Sequence, residues 1–134
     1  MSPRRLIVGV GALLALSACS PTTYNAADDT KPPAAATTTT LPAGTAAELL
    51  PRMLTEVQGL STRVANADGA GAAATRIEQL WAAVQPEIEA TQPDLVEDFE
   101  FVVRRCRSAA DRKRPADADR AYKNLTSLVA AVLG

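Results

Sequence analysis

Large apolar side chains recur at three- and four-residue intervals through four separate stretches of this chain, with polar residues between them. That period marks helices with one buried face. The first stretch, residues 45–67, carries Leu50, Met53, Leu54, Val57, Leu60 and Val64 on one stripe. Thr45 and Glu48 at its start have the spacing of a capping box. Pro51 lies past the first turn, which predicts a kink there or a true start near Leu50. The polar, glycine-bearing residues 66–71 predict a turn. The second stretch, residues 72–90, places Ile77, Leu80, Trp81, Val84 and Ile88 on its stripe, and Pro86 predicts a late bend. The third, residues 92–113, buries Leu95, Val96, Phe99, Val102, Val103 and Cys106. Thr91 and Asp94 repeat the capping-box spacing, and Pro93 falls in the first turn, where it is tolerated. The fourth, residues 115–133, opens on Pro115 and buries Ala118, Ala121, Tyr122, Leu125, Leu128, Val129 and Val132.

No stretch alternates with period two for long enough to make a strand. The connections are short, so neighbouring helices must run antiparallel. The expected fold is all-α: an up-down-up-down four-helix bundle over residues 45–134. About ninety residues suffice for one core.

The chain ahead of the bundle reads differently. Arg4 and Arg5 precede an apolar run over residues 6–18, long enough for the hydrophobic core of a signal peptide and too short to cross a bilayer, which takes about 20 residues. The run ends in Leu16-Ser17-Ala18-Cys19. These four residues resemble the lipobox of bacterial lipoprotein signal peptides: an aliphatic residue, two small residues, then Cys. The resemblance implies cleavage of residues 1–18 and lipidation of Cys19. Two acyl chains on that residue would anchor the protein stably. Residues 19–44 then form a linker, with Pro21, Pro32, Pro33, Pro42 and the run Thr37-Thr38-Thr39-Thr40. Tyr24 and Leu41 are its only large apolar groups, so it cannot bury enough surface to order itself. As a flexible coil it spans about 25–30 Å.

Charge and composition narrow the function. Without Arg4 and Arg5, 12 Lys and Arg face 15 Asp and Glu, a balance of −3. Nucleic acid calls for a basic face and is not an expected partner. The chain has no His. A Ser-His-Asp triad and a Cys–His pair are therefore impossible, and the usual zinc or haem ligand is missing. With Cys19 carrying lipid, Cys106 is the one remaining thiol, so no internal disulfide is expected. Cys106 reads as a small buried hydrophobe, with a reactive thiol beside Arg105 and Arg107 as the alternative. Trp81 reads as a core plug, with a ligand platform as the alternative.

The carboxylates are the remaining chemistry. Glu78, Glu87 and Glu89 fall on the second helix, and Glu97 and Glu100 on the third. Facing carboxylates can hold a hard cation. The bland alternative is a solvated face with pairs such as Glu100–Arg104 at four-residue spacing. The stretch Ile77-Glu78-Gln79-Leu80-Trp81, then Pro86-Glu87-Ile88, then Pro93-Asp94-Leu95-Val96-Glu97-Asp98-Phe99-Glu100 resembles a helical-hairpin pattern. That pattern belongs to extracytoplasmic parts of bacterial iron-uptake proteins of the permease and EfeO-like types. The resemblance implies Glu78, Glu97 and Glu100 as metal contacts. The family's metal-associated His motif and membrane domain are both missing from this sequence.

The sequence thus leads to a lipid-anchored lipoprotein of the cell envelope, on the extracytoplasmic face of the membrane. It is expected to be non-enzymatic, to need no cofactor beyond the covalent lipid, and to act as an interaction or accessory module with an envelope protein partner. The alternative is a low-affinity cation-binding accessory of iron uptake.

Overall fold

The computed structural model describes residues 40–134. The signal segment, Cys19 and most of the linker lie outside these residues. Four helices follow in order: α1 (Ala46–Ala65), α2 (Ala70–Thr91), α3 (Val96–Asp111) and α4 (Pro115–Leu133). No strand occurs among the described residues. Each helix packs on its neighbours in the chain, and α4 closes the ring against α1. The expected all-α four-helix bundle is the observed fold.

α1 begins where the Thr45–Glu48 spacing places it. The Thr45 backbone N–H donates to the Glu48 carboxylate at 2.9 Å, and the Thr45 hydroxyl donates to the same oxygen at 3.2 Å. These bonds hold the Glu48 carboxyl below its usual range. A second carboxylate arrives from across the bundle: the Ala46 N–H donates to Glu87 on α2 at 2.7 Å. Two acids thus meet the positive end of the α1 dipole. That anchoring explains why α1 does not wait until Leu50 to begin and runs through Pro51. α2 likewise continues past Pro86 to Thr91.

α1 and α3 end alike. Asp68 N–H reaches back to Arg63 O at 2.9 Å, and Arg114 N–H to Ala109 O at 2.9 Å. The residue just past each C-cap sits in the left-handed region, Ala67 at φ 53 and Lys113 at φ 54. This is the Schellman closure, at positions that glycine usually fills.

The start of the third helix departs from expectation. Residues Pro93–Leu95 form a separate 3-10 turn, and α3 starts at Val96. Proline disfavours helical geometry at the residue before it, and Gln92 sits at φ −144, ψ 63. Thr91 therefore belongs to α2. Its hydroxyl donates to Glu87 O at 2.8 Å instead of capping α3 with Asp94.

The core runs along the bundle axis. Leu49, Leu50, Met53, Leu60, Ile77, Ile88, Phe99 and Leu125 are its largest fully buried side chains. Trp81 and Phe99 stack within it, ring centroids 5.2 Å apart and planes 10° from parallel. Trp81 is thus a core residue, as its stripe predicts. Leu49 joins the core although the sequence stripe omits it, and Leu54 is only half-buried. No polar or charged side chain is buried among the described residues. No described helix is long and apolar enough to cross a membrane.

Candidate functional site

Glu78, Glu97 and Glu100 take three separate roles. Glu78 on α2 receives the Arg107 guanidinium of α3 in a forked pair, Nε to Oε1 at 2.8 Å and Nη2 to Oε2 at 2.6 Å. The Arg107 hydrogen bonds hold the Glu78 carboxyl below its usual range, against a smaller opposing effect of burial. Arg107 also donates to the Thr75 hydroxyl at 2.8 Å and to Gly71 O at 3.4 Å. It ties α3 to the first half of α2. Glu100 pairs with Arg104 one turn on, at 3.2 Å, as the four-residue spacing predicts. Glu97 is exposed in the first turn of α3. Among the described residues, no three Asp, Glu, His or Cys side chains gather as a metal-holding group.

Cys106 is fully buried between helices, and burial pushes its thiol up to about 12. Arg107 is directed away from it to Glu78, and the thiol stays protonated. The small-hydrophobe reading describes it.

The surface feature that sequence reasoning missed surrounds Phe101. This side chain is 45% exposed. The Arg105 guanidinium lies over its ring, 4.7 Å from the centroid. On one side Phe101 borders a cleft of about 360 Å³ with Arg104, Arg105, Ser108, Arg112, Arg114 and Asp117. On the other it borders a groove with Asp98, Asn124 and Leu128. Asp117 accepts from Arg114 at 2.9 Å and from Arg120 at 3.4 Å. Arg105 and Arg112 enter no ion pair among the described residues.

The charge distribution explains the surplus. Residues 104–123 hold eight Lys and Arg against three Asp and Glu, whereas residues 45–103 hold three against ten. The near-neutral total conceals a basic pole at the α3–α4 turn. A count taken over segments of the chain reveals it. The exposure of Phe101 needs the three-dimensional packing.

Comparisons with protein-family models, with characterised proteins and with solved structures give no significant match.

Proposed function

We infer that this chain is a lipid-anchored module of a bacterial cell envelope, held on the extracytoplasmic face through Cys19, and that its helical domain acts by docking and not by catalysis. The anchor rests on Leu16-Ser17-Ala18-Cys19. The observation that carries the docking role is Phe101, exposed in a cleft with Arg105 and Arg112, which have no acidic partner among the described residues. Aromatic residues and arginine are each enriched where proteins bind one another. Two further observations support a non-enzymatic reading: the chain lacks His, and its one thiol in the bundle is buried and protonated.

Cation binding through Glu78, Glu97 and Glu100 would have to displace Arg107 from Glu78 and Arg104 from Glu100. Calorimetric titration with ferric and divalent ions tests that alternative. Heat that disappears in Glu97→Gln would favour it over docking.

Protease added to intact spheroplasts tests the placement. The helical domain is expected to be degraded from outside. Protection that persists until the membrane is lysed would contradict the extracytoplasmic face.

A further inference from the structure

We propose that the Phe101 cleft docks the bundle on the surface of a bilayer rich in anionic phospholipid, with Arg105 and Arg112 meeting headgroup phosphates. Phe101, Arg105, Ser108 and Arg112 follow one another at four-, three- and four-residue steps, so they form one stripe along α3. The start of α4 supplies the other wall through Arg114 and Asp117. Four guanidinium groups thus line the cleft against a single carboxylate. That carboxylate is already shared by Arg114 and Arg120, and Arg104 is occupied by Glu100. The charge left for a ligand sits on Arg105 and Arg112.

The shape favours a planar array of anions over an inserted side chain. The cleft is open and shallow, and its apolar content is one aromatic ring. A single aromatic with flanking cations suits the interfacial region of a bilayer, where the ring enters the headgroup layer and the cations meet phosphate. Asp94 in the 3-10 turn and Glu97 at the start of α3 lie away from Arg105 and Arg112, and Asp98, one turn before Phe101, borders the ring on its other side. The proposal rests on the anchored reading, because a lipid on Cys19 would keep the domain at high effective concentration beside the bilayer.

The test uses residues 19–134 carrying Cys19→Ser, so that no lipid is attached. Co-sedimentation is measured with phosphatidylglycerol–phosphatidylcholine vesicles and with phosphatidylcholine alone, at low salt. Binding is expected to the first and not to the second. Each basic side chain near an anionic surface is worth about fivefold in partitioning. Arg105→Gln with Arg112→Gln is therefore expected to weaken binding about 25-fold. Phe101→Ala should weaken it separately, and Arg52→Gln on α1 should leave it unchanged. These side chains are exposed or partly exposed, and circular dichroism checks that each variant keeps its helices. Equal binding to both vesicle types would overturn the proposal, as would full binding by the double arginine variant. So would binding to an acidic polypeptide with none to vesicles, which would assign the cleft to a protein partner. Because the unlipidated chain is used, failure here leaves Cys19 lipidation standing. Vesicle binding without lipid on Cys19 in cells would sink only the anchor.

Discussion

Arg107 on α3 grips Glu78 on α2 through two parallel hydrogen bonds of 2.8 and 2.6 Å. The folded-state value of the Glu78 carboxyl is thereby lowered. A lowered carboxylate contributes stability that is present above its unfolded value and is lost as pH falls through the folded one. Both side chains are about a third exposed or more, so screening limits the pair to about 1 kcal/mol. Glu78→Gln is expected to lose that amount at neutral pH and to show a shallower decline in acid. Arg107→Ala should cost more, because the bonds to Thr75 and Gly71 go with it. Urea unfolding across pH 3 to 7 measures both. An unchanged acid profile in Glu78→Gln would contradict the pairing.

Ala67 and Lys113 hold left-handed backbone geometry just past the ends of α1 and α3. A side chain in that region costs about 1–2 kcal/mol, and glycine avoids the cost. Part of the gain is offset by glycine's greater freedom in the unfolded chain. Ala67→Gly is expected to raise stability by about 1 kcal/mol, read as a higher urea midpoint. A lower midpoint would show that the Schellman geometry is not what closes α1.

Trp81 and Phe99 join α2 to α3 through the stacked pair in the core. Phe99→Ala is expected to cost about 3–5 kcal/mol, which approaches the whole stability of a domain this small. Trp81 fluorescence should shift toward that of a solvated indole. A Phe99→Leu variant should keep the fold at a smaller cost and still lose the stacked signature. Native-like fluorescence in Phe99→Ala would contradict the packing.

Cys106 should be silent toward thiol reagents while the bundle is folded. Its burial, with the thiol pushed up to about 12, leaves almost no thiolate at pH 8. Labelling is expected to follow unfolding in urea. Stoichiometric labelling of the native protein would contradict the buried position.

The helices were legible because each carries its own record of burial. Ile77, Leu80, Trp81, Val84 and Ile88 are spaced for one face, and all five are buried. Thr45–Glu48 was legible because a cap is local in sequence. The Thr91–Asp94 spacing misled for a local reason as well: Pro93 forces Gln92 out of helical geometry and separates the two residues. The roles of Glu78 and Glu87 depend on partners 29 and 41 residues away. Spacing along one helix contains no information about which neighbour a carboxylate meets. Glu78 therefore reads from the sequence as a candidate metal contact, whereas it is the acceptor for Arg107. Glu87 looked like part of a solvated face when it caps α1. Phe101 is absent from the sequence stripe that holds Phe99, and only the packing shows that its ring stays exposed.

The placement of the whole bundle depends on position 19, and intact-mass spectrometry of the protein purified from its own membranes reads that position directly. The expected result is a chain that lacks residues 1–18 and begins at a Cys19 bearing diacylglycerol. A mass matching the uncleaved chain, or a mature chain with an unmodified Cys19, would contradict the anchored account.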